Sequence, residues 1–187
     1  MAAKTSHLVL DSKLQTAFLP GTGTVVHIRV RPGKDARRRV LRTEESWQRK
    51  WKLGDGSFGD VWLEECTAGK PTGGRFRAVK EVSKGVDPSV SEVDCHRELE
   101  AIAKFSHDKY AHCFVRSYGW FENERSIFIA MEYAKHGDLQ RHLTQPFPEQ
   151  ECQQITAQVL EGVNFMHQHG FSHRDLKPGV RRTVFFR

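Results

Sequence analysis

Long apolar runs are missing from this chain. Nowhere do about 18 apolar residues follow one another, so no segment reads as a membrane-spanning helix. A basic-then-apolar leader is lacking as well, because after Lys4 only Leu8-Val9-Leu10 is apolar before Asp11 intervenes. Cysteine is scarce. Cys66, Cys95, Cys113 and Cys152 are widely separated and form no Cys-x-x-Cys pair, which favours reduced core thiols over a disulfide frame or a zinc site. Internal repeats and low-complexity segments are absent too. With 38% hydrophobic and 28% charged residues, the expectation is a soluble globular protein of the cytosol or nucleus, without a membrane partner. Its 187 residues allow one sizeable domain, or a small domain plus a tail.

Much of the net charge of +6 lies in the first fifty residues, in Arg29, Arg31, Lys34, Arg37, Arg38, Arg39 and Arg42. Such a stretch can serve nuclear import or nucleic-acid contact. No aromatic residue interleaves it, so base stacking has no support. The expectation is a solvated basic tail or edge strand, with nucleic acid an improbable partner.

Residues 1–46 carry no catalytic motif. Thr24 to Val30 alternates around β-branched residues, but Pro20-Gly21 and Pro32-Gly33 punctuate it closely. This region is expected to be a poorly ordered extension with at most a strand or hairpin. From Trp47 the texture changes. Trp51-Lys52-Leu53 and Val61-Trp62-Leu63 flank a glycine-rich turn and read as strand, turn, strand. Arg75 to Val82 predicts a third strand, and His112 to Phe121 and Ser126 to Met131 two more, around the polar turn Glu122-Asn123-Glu124-Arg125. Between them Val93, Leu99, Ile102 and Phe105 recur at helical spacing from Ser91 onward. After Gly137 the pattern is helical, with Ile155, Val159, Val163 and Met166 on one face between Glu149 and His169, and Gly170 as a C-terminal stop. Five strands with one inserted helix, then helices, predict an α+β fold.

Three segments carry chemistry. Gly54, Gly56 and Gly59 in Leu53-Gly54-Asp55-Gly56-Ser57-Phe58-Gly59-Asp60-Val61 let backbone N–H groups approach a phosphate closely. A dinucleotide fingerprint demands a helix directly after such a turn, and the β-branched and aromatic Val61-Trp62-Leu63 argues against one. Lys80 closes Ala78-Val79-Lys80, twenty-one residues after Gly59. His173-Arg174-Asp175-Leu176-Lys177-Pro178 stands nine residues before the last. Read singly, Lys80 is an edge lysine, Asp138 a helix N-cap and the hexapeptide a polar loop.

In this order and spacing the segments resemble the eukaryotic protein kinases, serine/threonine type, over about Trp47 to Pro178. The resemblance implies a five-stranded antiparallel N-lobe with one helix over residues 47–133, and a partial helical C-lobe over residues 134–187. ATP would lie under Gly54, Gly56, Ser57, Phe58 and Gly59, against Val61 and Ala78, with Lys80 on its phosphates. Glu98, nine residues before His107, would hold Lys80, with Glu100 the runner-up. Met131 would gate the back pocket, the backbones of Glu132 and Ala134 would meet adenine, and Asp138 the ribose or a basic substrate residue. Asp175 would accept the proton of a protein hydroxyl, Lys177 would offset phosphoryl charge, and His173 and Arg174 would shape the loop. ATP is the expected cofactor and a protein the expected substrate. Ser117 occupies a usually apolar place in the column linking the lobes.

The resemblance fails after Pro178. The family places an Asn five residues after the catalytic aspartate and an Asp-Phe-Gly further on, both for Mg²⁺. Here Val180 stands in the first place and the second is missing. The expectation is a kinase-like chain truncated after its catalytic-loop motif and catalytically impaired. The tail from Gly179 to Arg187 resembles no kinase continuation, and Val180-Arg181 fits the start of an unspliced intron. The alternative is a non-catalytic nucleotide-binding or interaction fragment. Either way, the helix bearing Ile155, Val159 and Val163 is expected to leave an apolar stripe uncovered.

Overall fold

The computed structural model describes residues 6–31, 41–56, 59–71, 73–84 and 92–178. Ser57 and Phe58, and Gly179 and Val180, lie outside the described residues. In order along the chain come α1 (His7–Asp11), β1 (Gln15–Leu19), β2 (Thr24–Arg31), β3 (Leu41–Gly56), β4 (Gly59–Ala68), β5 (Phe76–Ser83) and α2 (Glu92–Phe105). A 3₁₀ turn (Asp108–Tyr110), β6 (Ser117–Glu122), β7 (Ser126–Glu132), a second 3₁₀ turn (Leu139–His142) and α3 (Glu149–Gln168) complete the order. The chain forms two compact units, residues 1–100 with 118–133, and residues 101–117 with 134–187. The second unit therefore takes in a stretch that the sequence reading placed with the first.

The first unit is built on one sheet in the order β1-β2-β3-β4-β5-β7-β6, seven strands where five were expected. The extra two come from the supposed extension, and β3 itself begins at Leu41. Where it is described, at residues 6–31 and 41–46, the segment is largely strand, because its alternation is real, while Lys34, Arg37, Arg38 and Arg39 of the basic stretch lie outside the described residues. Val25 and His27 turn inward on β2, at 7% and 0% exposure, and Glu45 on β3 is equally enclosed. The chain entering β1 also reaches the far edge of the sheet. Leu14 N–H donates to Trp120 O at 2.7 Å, and Trp120 N–H to Ser12 O at 3.1 Å. The edge that β6 presents is thereby paired at Trp120, which blunts it as a template for aggregation.

Inside this curled sheet Val25, Trp47, Val79, Phe121, Phe128 and Ala130 form the core, with Leu14, Cys66 and Tyr118 packed against it. A polar seam runs through the same interior. Arg77, 1% exposed, donates from Nε (2.9 Å) and Nη2 (2.6 Å) to Glu64 Oε2. Its guanidinium also lies 4.2 Å from the centre of the Trp47 ring. Glu45 takes the Arg29 Nε at 3.1 Å. His27 meets Thr16 Oγ1 through Nδ1 at 2.7 Å and packs edge-on against Phe121.

Burial above all, then the charges of Arg77 and Arg29, pulls His27 from 6.5 down to about 2. The folded ring is neutral, while the unfolded chain takes up a proton near 6.5. Its contribution to stability is complete above that value and is lost as pH falls from there toward 2. Between about pH 7 and about pH 5 the loss from this group is expected to be about 2 kcal/mol. Urea midpoints measured across that interval will fall in the native chain, and His27→Gln will flatten the fall. An unchanged slope in His27→Gln assigns the acid sensitivity elsewhere.

The second unit has an aromatic core of Phe105, Tyr110, Cys113, Phe114 and Met166, with Phe165 and Phe171 beside it. Phe105 and Phe114 stack at 4.7 Å. The expected strand from His112 begins only at Ser117, because Tyr110, Cys113 and Phe114 are drawn into this core as a turn. The helical pattern after Gly137 likewise starts as a short 3₁₀ turn before α3. Among the described residues no helix is long and apolar enough to cross a membrane.

Candidate functional site

In the first unit the site is written on one face of the sheet. Directly opposed residues of antiparallel strands share a face, and so do residues two apart on one strand. The register pairs Gly54 with Val61 and Val61 with Lys80. Ala78 pairs with Leu63 on one side and with Met131 on the other. Val61, Ala78, Lys80 and Met131 therefore lie together on the face opposite to Arg77 and Val79. Leu63 and Ile129 belong to that face as well and were missed in the sequence. Period-two alternation from Val61 and back from Met131 would have found both.

The glycine turn sits at one end of this face. Gly56 pairs with Gly59 across it, so the turn joins β3 directly to β4. Gly59 has φ +125°, and a Cβ there would stand 2.0 Å from Glu81 O. Only glycine allows β4 to pass β5 so closely. The phosphate-side expectations for Ser57 and Phe58 fall outside the described residues.

Lys80 Nζ is joined to Glu98 Oε1 as a hydrogen-bonded ion pair. Glu98 comes from α2 and its neighbour Leu99 is buried at 4%, which fixes the helix register. Glu100 faces solvent. On the reverse face Glu81 is held by Arg49 at 2.9 Å, and Arg49 lies 4.7 Å from the Trp62 ring. The strip that ends in Met131 and Glu132 continues the β7 ladder, with Arg77 opposite Glu132.

The second unit holds the remaining candidates. Ala134 O accepts from Gly137 N–H at 3.1 Å, closing a turn in which Gly137 has φ +83°. Asp138, 6% exposed, accepts from Arg141 N–H through Oδ1 at 3.1 Å and caps the 3₁₀ turn, the plain role its sequence context suggested. The half-buried Ser117 does not stand alone, since its N–H donates to Ser106 Oγ at 3.0 Å.

After α3, Gly170 (φ +77°) reverses the chain and Phe171 N–H returns to Met166 O at 2.9 Å, a glycine C-cap. Phe171 then anchors on Phe105, 5.7 Å between ring centres, so the polar loop beyond it leaves a fixed point. Arg174 has φ +62°, a conformation that non-glycine residues adopt sparingly, and among the described residues no other side-chain-bearing residue has a positive φ. Such strain gathers at functional sites. Asp175 N–H donates to His173 O at 2.9 Å, and Asp175 Oδ2 pairs with Lys177 Nζ at 2.9 Å. Asp175 and Lys177 are both about half exposed, so this ion pair adds little to stability. Burial lowers the pKa of His173 from its usual value, with the Asp175 charge opposing.

Phosphoryl transfer in kinases uses Mg²⁺ held by an asparagine and an aspartate beyond the catalytic base. Between Leu176 and Arg187 the sequence has neither a carboxylate nor a carboxamide, and Val180 has no side-chain oxygen. These residues do not fit the metal.

A family model described as the protein kinase domain matches residues 47–179. The calcium/calmodulin-dependent protein kinase cmkA of Emericella nidulans is 34% identical over 128 residues, covering 67% of this chain and 28% of that protein. The serine/threonine-protein kinase cds1 of Schizosaccharomyces pombe is 28% identical over 158 residues, covering 80% of this chain and 32% of that protein. The calcium/calmodulin-dependent protein kinase type 1 of Caenorhabditis elegans is 30% identical over 128 residues, 67% of this chain and 34% of that protein. The chain thus spans no more than about a third of the length of these relatives. With the family model covering well over half of its residues and serine/threonine kinases among its relatives, the chain belongs to the eukaryotic protein kinase family.

Proposed function

We propose that residues 1–187 form an ATP-binding portion of a serine/threonine protein kinase whose own phosphotransfer is impaired. One observation carries the nucleotide half of this reading. Lys80, tied to Glu98, shares a sheet face with Val61, Ala78 and Met131 and lies on the strand beside the glycine turn. An apolar strip suits a flat purine, a fixed ammonium suits the α- and β-phosphates, and glycines leave backbone N–H groups free to approach them. The backbones of Glu132 and Ala134 supply the hydrogen bonds to adenine, and Glu98 keeps Lys80 from swinging away. Asp175 orients and deprotonates the acceptor hydroxyl, and Lys177 directs the reaction to serine or threonine. With Val180 in the place of the asparagine and no acidic or amide side chain from Leu176 to Arg187, residues 1–187 give the developing phosphoryl charge no metal-borne stabiliser, and in them binding outlasts catalysis.

A titration of the purified chain with a fluorescent ATP analogue tests this. Binding is expected to be weak, and Lys80→Ala is expected to weaken it by about tenfold, the loss of one partly enclosed charge-assisted contact. Equal affinity in Lys80→Ala and the native chain rejects the assignment.

A further inference from the structure

The second unit brings together three side chains of different chemistry that kinase action does not use. His112 and Cys113 come from the turn after the first 3₁₀ segment, and Glu161 from α3. One ligand atom of each lies within 4.8 Å of the others. His112 Nε2 and Glu161 Oε1 are 3.0 Å apart and both residues are about half exposed, whereas Cys113 is buried at 1%. We propose that His112, Cys113 and Glu161 form a site for a single zinc ion, a clip between the residue 112–113 turn and α3.

The donor set favours this metal. Thiolate with imidazole and carboxylate suits zinc, and three protein ligands leave a fourth position for water on the open side. With zinc–ligand distances of about 2.0–2.3 Å, ligand atoms of a tetrahedral site lie roughly 3.2–3.9 Å apart, which small side-chain movements achieve from the present arrangement. A neutral imidazole, a carboxylate and a thiolate balance the dication, and the Cys113 proton leaves to solvent as the sulfur–zinc bond forms. The surroundings already hold the ligands. Gln158 Nε2 donates to His112 O from one turn before Glu161 on α3, and the His112 ring meets Phe165 edge-on. Sequence spacing concealed the cluster because its third member is about fifty residues away and none of the four cysteines has a cysteine neighbour.

The test is zinc competition against a chromophoric chelator on the purified chain, together with the absorption spectrum after Co²⁺ loading. One equivalent of zinc per chain and a thiolate-to-cobalt charge-transfer band are expected. Cys113→Ser and His112→Ala are expected to weaken binding by about 100-fold or more, beyond the roughly 10–100-fold typical of outer-shell partners. The exposed Cys152→Ser should bind as the native chain does. His112→Ala alters a half-exposed residue, so circular dichroism of that variant separates ligand loss from unfolding. Absence of stoichiometric binding, or zinc affinity retained in both a folded His112→Ala and Cys113→Ser, overturns the site.

Discussion

Joined to a kinase continuation that supplies the asparagine and the Asp-Phe-Gly, the chain is expected to phosphorylate serine or threonine. Asp175→Asn in that fusion should then lower kcat by roughly 10²- to 10⁴-fold, the usual worth of a positioned general base. Residues 1–187 alone are expected to show no transfer above their own Asp175→Asn control. Two features argue for both halves of this result. Asp175 sits on a loop anchored by Phe171 and bent at the strained Arg174, with Lys177 at 2.9 Å, contacts that do not draw on residues beyond Pro178. Charge stabilisation does, because Leu176 to Arg187 offers no oxygen ligand from an acidic or amide side chain. A radiolabelled transfer assay on the four proteins decides it. Asp175-dependent activity in the 187-residue chain, or an active Asp175→Asn fusion, contradicts the role given to this loop.

The second large effect is on stability. Glu64→Gln is expected to cost about 3–5 kcal/mol, since it strands the Arg77 guanidinium inside the sheet without its counter-charge. Burial is the chief influence on Arg77 and lowers its pKa from the ordinary arginine value, with Glu64 opposing that tendency. Glu45, the next acid along the seam, is already engaged by Arg29. The double variant Glu64→Leu with Arg77→Met should recover most of the loss, because exchanging a buried pair for apolar groups of similar volume is often neutral or better. Urea unfolding of the three chains tests this. A Glu64→Gln chain as stable as the native one would mean that water reaches Arg77 and that the interior is open.

The motifs of the proposed site were more legible in the sequence than the sheet that carries them. Gly54, Lys80 and Asp175 stand in motifs whose residue types suit the proposed phosphate and proton chemistry, and local spacing is enough to find them. Glu98 needed only the helical register between Leu99 and Phe105. The N-terminal strands were different. Val25, His27 and Glu45 face an interior that also contains Arg77 and Glu64, so polar residues occupy positions where alternation leads one to expect apolar ones. The strands themselves pair with near neighbours, β1 with β2 and β2 with β3, but Leu14 meets Trp120, about a hundred residues distant, and nothing local announces that contact. The turn at His112 was misread for a related reason. Its β-like residues serve an aromatic core assembled from Phe105, Phe165 and Phe171, which lie on other elements.

The proposal at the centre is that residues 1–187 bind nucleotide through the sheet face of Val61, Ala78, Lys80 and Met131, and that no acidic or amide side chain between Leu176 and Arg187 makes such binding depend on metal. The most direct measurement is ATP affinity in excess Mg²⁺ and again in excess chelator, on the same preparation. The two affinities are expected to agree within about threefold. A hundredfold gain on adding Mg²⁺, roughly 2.7 kcal/mol of metal-linked binding, would contradict the account and require oxygen ligands it does not include.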